Sequence, residues 1–200
     1  MERSSRLYMI RHGQVNGFAD YPAYGHTDVD ITDIGRRQME NIAERLRYVD
    51  LKTIYSSDLI RSIRGAQIIA QYHDVQIHSL PELREVYFGD WEAISFKEIH
   101  RRFPDDLKKR MADIENFQPP GNGESMGQLS ERIMKCFRGI REEQKGKDFL
   151  FVGHGAVNRI ILCDAMGLAT EKAFNIQQDY GCLNIIDYYH DSARIVLMNG

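Results

Sequence analysis

At 200 residues the chain suffices for one domain that buries roughly 70% of its extended surface, so its core needs no disulfide or metal staple. Hydrophobic residues at 42% and charged residues at 28% are an ordinary globular balance, and a formal net charge of −3 argues against non-specific binding to nucleic acid or an anionic membrane. Cys136, Cys163 and Cys182 form no CxxC pair, the N-terminal MERSSRLYMIRHG has no signal-peptide core, and no apolar run approaches membrane length, so the expected location is cytoplasmic.

Leu7 to Ile10 is a short apolar run that reads as a buried strand and ends in Arg11-His12-Gly13. Residues 14–30 are polar and aromatic and read as a loop. Thr32 or Asp33 then caps a helix over Arg36 to Tyr48, with Met39, Ile42, Ala43 and Leu46 at helical spacing. Thr53 to Ser56 reads as a strand, Leu59 to Tyr72 as a helix and Val75 to His78 as a third strand. Pro81 to Trp91 is a compact loop. Residues 92–120 mix a helical portion (Phe96, Ile99, Phe103) with Pro104 and a charged run; they read as an excursion forming a lid or substrate wall. Ser125 to Glu143 is a helix, Asp148 to Val152 a central strand, and Ala156 to Met166 a helix stopped by Gly167. Cys182 to Tyr188 and Ala193 to Met198 read as a closing strand pair. This alternation predicts an α/β fold, a three-layer α/β/α sandwich on a mostly parallel sheet.

Arg11-His12-Gly13 places a cation, an imidazole and a glycine at a strand's carboxyl end, where open α/β sheets bind ligands. Phe151-Val152-Gly153-His154-Gly155 repeats the shape, an apolar run followed by His-Gly. Two strand-end histidines in one small domain are hard to read as packing residues. With these motifs the chain resembles the histidine phosphatase superfamily, the phosphoglycerate mutase-like proteins, over Leu7 to about Asn184. The resemblance implies a phosphoglycerate mutase-like fold across 1–200, with the 92–120 excursion over the active site.

The resemblance assigns His12 as the nucleophile that forms a phosphohistidine, without saying which nitrogen attacks. Arg11 and Arg61, the latter in Ser57-Asp58-Leu59-Ile60-Arg61, match the family's phosphate-binding arginines. His154 matches the second family histidine, stabilising charge on the transferred phosphoryl group. Glu85, in Leu83-Arg84-Glu85-Val86-Tyr87-Phe88-Gly89-Asp90-Trp91-Glu92, matches the general acid; Glu82 is its neighbouring rival, and Asp58 and Glu92 are weaker ones. Residues 24–32 resemble a loop beside the phosphate, which adds Gly13, Asn16, Tyr24 and Gly25 as binding candidates. This chain departs from the mutases there: Tyr24 replaces a small hydroxyl residue, His26 a tryptophan and Phe18 an asparagine, with Asn16 the nearby substitute unless that bond is absent. Gly123-Glu124-Ser125 resembles a family Gly-Glu-Ser, although Ser125 with Gln128 also fits a plain capping box. Asn158 is expected near the pocket mouth.

Seven histidines raise the question of a metal. None falls in HExxH or another close ligand spacing, and the resemblance implies metal-independent chemistry, so no metal and no cofactor are expected. The short excursion favours a phosphatase over a mutase. Compact bacterial phosphatases of the family, the α-ribazole-5′-phosphate phosphatases among them, share this size and the Leu-Arg-Glu…Phe-Gly-x-Trp-Glu segment. The reading is a phosphatase acting on a small-molecule phosphomonoester, α-ribazole 5′-phosphate being one candidate. The alternatives are mutase-type phosphoryl transfer and non-catalytic phospho-ligand binding. Neither a nucleic-acid nor a membrane partner is expected, and the chain reads as a monomer or homodimer. The tyrosines between Phe18 and Tyr24 either line a ring-binding wall or pack beneath the excursion.

Overall fold

The computed structural model describes residues 2–20 and 22–200; Tyr21, one of the tyrosines proposed for the ring-binding wall, lies outside them. Six strands form one sheet: β1 (Ser5–Arg11), β2 (Leu51–Ser56), β3 (Ile77–Ser79), β4 (Asp148–Gly153), β5 (Leu183–Tyr188) and β6 (Ala193–Leu197). Their spatial order is β3-β2-β4-β1-β5-β6. β3, β2, β4 and β1 run parallel, β5 is antiparallel to β1, and β6 is antiparallel to β5. β1 and β4 are apolar at successive positions because both of their faces are covered. Leu7, Met9, Phe149 and Phe151 point into one core, and Tyr8, Ile10, Leu150 and Val152 into the other.

Helices α1 (Asp33–Leu46) and α2 (Ile60–Ala70) close one face, burying Met39, Ile42, Leu46, Ala66 and Ile69. Helices α5 (Met126–Glu143) and α6 (Gly155–Met166) close the other through Leu129, Ile133, Phe137, Val157, Ile160 and Ile161. The result is the three-layer α/β/α sandwich.

Local chemistry sets the helix ends. Thr32, not Asp33, caps α1, its Oγ1 accepting the Gly35 N–H at 3.0 Å. Ser125 and Gln128 form the reciprocal capping box of α5, at 3.2 and 2.9 Å. Gly167 ends α6 at φ +66°, a left-handed conformation in which glycine carries no Cβ penalty. Within the excursion, Pro104 starts a helix instead of breaking one, since a proline's missing N–H is not needed in a first turn. Helices α3 (Phe96–Arg102) and α4 (Pro104–Ala112) therefore follow each other directly. Their core is Trp91, fully buried with Ala23 and Ile99, its ring 5.7 Å from that of Phe117 and 6.1 Å from that of Phe103. Between α6 and β5 the chain makes a 3-10 segment, Thr170–Asn175, that the sequence pattern does not reveal. Among the described residues no helix is long and apolar enough to cross a membrane.

Candidate active site

The site begins with strand register. Parallel pairing aligns Arg11 of β1 with Gly153 of β4, so the next residues, His12 and His154, leave the sheet side by side. Their ring centroids are 5.2 Å apart at an interplanar angle of 62°. A side chain at Gly13 would collide with the backbone of Gly35, so glycine is what lets the start of α1 pack against this turn.

His12 is 5% exposed, and its Nδ1 lies 2.8 Å from the Gly13 carbonyl oxygen. A carbonyl only accepts, so Nδ1 carries the proton and Nε2 keeps its lone pair. Burial first, then the Arg61 and Arg11 charges, holds His12 well below the usual histidine range, against a smaller upward pull from Gly13. The ring is therefore neutral at neutral pH.

His154 is fully buried and sits at the N-cap of α6. Its Nε2 is 2.7 Å from Ser57 Oγ, which also accepts the Leu59 N–H at 3.3 Å. With the serine hydroxyl donating to Nε2, the ring proton sits on Nδ1. Burial, then Arg61, His12, Arg11 and Arg132, holds this ring too well below its usual range. His154 Nδ1 and Arg11 Nε are buried without a partner among the described residues. Both atoms border the His12–His154 pair and are free to meet a ligand there.

Arg61 lies in the first turn of α2 and is 1% exposed. Its guanidinium donates to the carbonyl oxygens of Gly25 (2.6 Å), Thr27 (2.8 Å) and Tyr24 (3.3 Å). Burial pulls its pKa down, while Glu85, Asp28 and Glu92 pull it up. Arg11 donates to the Gln178 carbonyl at 2.7 Å, and its guanidinium stacks 3.9 Å from the centroid of the Tyr180 ring. Glu85 is half-buried, its carboxylate accepting the backbone N–H groups of Val86 and Ala156, both at 3.0 Å. The second of these bonds ties Glu85 to the first turn of the helix that His154 caps.

A family model described as histidine phosphatase superfamily (branch 1) matches residues 7–200. The chain belongs to the histidine phosphatase superfamily. It is 32% identical over 157 residues to phosphoglycerate mutase-like protein 4 of Arabidopsis thaliana, covering 78% of this chain and 68% of that protein. It is 26% identical over 196 residues to the adenosylcobalamin/alpha-ribazole phosphatase of Escherichia coli (strain K12), covering 97% and 95%. The crystal structure of the alpha-ribazole phosphatase from Shigella flexneri superposes with a TM-score of 0.89 at 26% identity, covering 98% of this chain and 96% of that one.

In this histidine phosphatase the cavity beside His12 measures about 180 Å³, with Arg11, Arg61, Glu85, Tyr24, Gly155 and Tyr180 in its walls. The site residues anticipated from sequence lie up to 143 positions apart, from Arg11 to His154, and the fold gathers most of them. Tyr24 lines the cavity, and both it and Gly25 present carbonyls to Arg61. Asn16 stands apart: it is exposed and absent from the cavity wall. Asn158, expected near the mouth, is fully buried behind the strand ends with its carboxamide 3.3 Å from that of Gln178, because its helical position points it back under β4.

Asp58, Glu82 and Glu92, the rival acids, do not line the cavity. Asp58 pairs with Arg84 (2.5 Å), Glu92 accepts the N–H groups of His26, Thr27 and Phe88, and Glu82 is exposed. His26, where the mutases carry tryptophan, donates from Nε2 to the Glu85 carbonyl at 3.0 Å. Glu124 holds Arg132 at 2.6 and 2.8 Å, and Arg132 in turn donates to the carbonyls of Glu82, Arg84 and Glu85. Four further wall residues, Arg110, Arg159, Phe174 and Tyr180, carried no motif. Among the described residues no three His, Cys, Asp or Glu side chains converge as a metal site.

Proposed function

We propose that this histidine phosphatase hydrolyses a small phosphomonoester through a phosphohistidine on His12, without a metal. As a member of its family the chain is a phosphoric monoester hydrolase. The observation that carries the mechanism is the neutral His12 ring, its proton fixed on Nδ1 by the Gly13 carbonyl. That leaves Nε2 to attack phosphorus. An N–P bond forms as the ester O–P bond breaks. Arg11, Arg61 and the His154 Nδ1–H donate to the phosphoryl oxygens as charge builds on them. Glu85, protonated, gives its proton to the departing alkoxide; ionised, it then takes one from the water that cleaves the N–P bond.

We read the whole chain as one such domain, with 92–120 as its substrate wall; Phe96 and Arg110 of that segment line the cavity. Three free cysteines support a reducing compartment, the cytoplasm. α-Ribazole phosphate is the substrate named for two relatives that match over nearly the full length, and Phe88, Phe96 and Phe174 would give its rings an apolar wall.

The test is phosphate release, without added metal, from 3-phosphoglycerate, sugar phosphates, nucleotides, α-ribazole phosphate and a phosphotyrosine peptide, with His12→Ala as the blank. Turnover by wild type alone, with an acid-labile, alkali-stable label on His12 after rapid quench, is the expected result. Undiminished turnover in His12→Ala would remove the nucleophile. Bisphosphoglycerate-dependent transfer without phosphate release would hand the case to the mutase alternative.

A further inference from the structure

Arg11 stands without an acid. Among the described residues it forms no ion pair, and its side-chain bond runs from Nη1 to the Gln178 carbonyl at 2.7 Å. Nε is buried and unpartnered among those residues, and Nη2 makes no hydrogen bond with them. A cation in a cavity shared with Arg61 and Arg159 needs something other than a carboxylate to hold it. The Tyr180 ring supplies that. The guanidinium carbon lies 3.9 Å from its centroid, well inside the roughly 6 Å over which the negative face of an aromatic ring attracts a cation. The centroid of the same ring lies 5.6 Å from that of His12, at an interplanar angle of 49°.

Backbone bonds fix where the Tyr180 ring stands. The Gly181 N–H donates to the carbonyls of both Arg11 and His12 at 3.1 Å, and the Arg11 N–H donates to the Cys182 carbonyl at 3.1 Å. Gly181 adopts φ +72°, and a Cβ there would come within 2.8 Å of the Gln38 side chain, so the turn requires glycine. On the preceding side the Asp179 N–H donates to Asn199 Oδ1 at 2.7 Å. Tyr180 meets its neighbours through its face, not its hydroxyl, which makes no hydrogen bond among the described residues.

We propose that Tyr180 is a positioning residue of the phosphoryl site: its ring holds the Arg11 guanidinium so that Nε and Nη2, the parallel donors of one edge, meet a single phosphoryl group. The proposal rests on the phosphatase reading above. Each part of the guanidinium then has its task. Nη1 anchors on Gln178, the face stacks on Tyr180, and the remaining edge is left for the ligand. Gly155 borders the same group closely: a Cβ there would stand 3.5 Å from Nε and 3.6 Å from Cζ. A planar guanidinium can stack and fork at once, which an ammonium cannot.

The test is a double-mutant cycle on Tyr180 and Arg11, read as kcat/KM for nitrophenyl phosphate and as the Kd of inorganic phosphate by calorimetry. Tyr180→Leu should lower kcat/KM about tenfold and weaken phosphate binding similarly, the worth of a desolvated contact between cation and ring. Tyr180→Phe, which keeps the face and drops the hydroxyl, should restore both to within about threefold of wild type. In an Arg11→Gln background Tyr180→Leu should cost less than about twofold further, because the ring then has no cation to hold. A residue that merely supports the fold would cost as much in either background. Thermal melts accompany each variant, and Tyr180→Met takes the place of Tyr180→Leu if the latter melts early. Additive losses in the cycle, a Tyr180→Phe loss equal to that of Tyr180→Leu, or wild-type behaviour of Tyr180→Leu would overturn the positioning role while leaving the phosphohistidine chemistry standing. If no ester turns over, the phosphatase reading falls and the phosphate Kd values decide the role of Tyr180 by the same criteria. Absence of phosphate binding as well would overturn both.

Discussion

His12 and His154 keep neutral rings because protonating either would place a charge in a site that is already buried and already cationic. This has a consequence for stability. Unfolded histidine takes up a proton near pH 6.5, whereas these two resist it until well below that pH. Between the folded and unfolded values the unfolded chain binds more protons, so stability is fully present above about pH 6.5 and is lost as pH falls through that window. Each such ring contributes a slope of up to about 1.4 kcal/mol per pH unit. Urea unfolding at pH 7.5, 6.5 and 5.5 should show the loss, and His154→Asn should flatten the slope by about one proton even though it lowers stability throughout. An unchanged slope in that variant would mean His154 is not the buried neutral group described here.

At the scale of elements, the loop carrying Glu85 is held from three sides: by Arg132 of α5 through three carbonyls, by His26 through the Glu85 carbonyl, and by the first turn of α6 through the carboxylate. Glu85→Gln removes the proton donor and should slow an alkyl ester by about 10²- to 10⁴-fold, and a nitrophenyl ester far less, since nitrophenolate leaves without a proton. Arg132→Met leaves the acid in place but loosens its seat. It should show the same leaving-group dependence at smaller size, about tenfold on the alkyl ester, as expected when a reacting group is misplaced by a fraction of an ångström. Equal losses on both esters would make Arg132 a stability residue. Glu85 itself was legible in the sequence because its segment carries a family pattern, and the two histidines because each ends an apolar strand. Their contact was not legible, for it depends on β4 pairing with β1 across 141 intervening residues in parallel register. Arg110, Arg159 and Tyr180 were invisible for a related reason. They reach the cavity from the excursion, from α6 and from the segment before β5, where tertiary packing, not local periodicity, decides which side chain points inward.

The whole molecule carries a formal charge of −3, yet its cavity gathers four arginines around one carboxylate. The two scales make opposite predictions for an anionic substrate. If the net charge governed encounter, a phosphate dianion would be repelled, and added salt would raise kcat/KM by screening that repulsion. If the cavity's field governs, low-dielectric walls focus it outward and salt lowers kcat/KM. The geometry favours the second outcome. Arg61 is buried against carbonyls, which do not cancel its charge, whereas many of the chain's acids form exposed pairs with lysine or arginine far from the cavity, such as Lys52 with Asp50 and Lys145 with Glu142. Raising salt from about 0.01 M to about 1 M shortens the Debye length from about 30 Å to about 3 Å. Over that range kcat/KM should fall several-fold while kcat stays nearly level, because the arginines that hold the bound phosphoryl group are shielded from the added ions. A rise in kcat/KM with salt would show that the acidic surface, not the cavity, sets the approach of substrate.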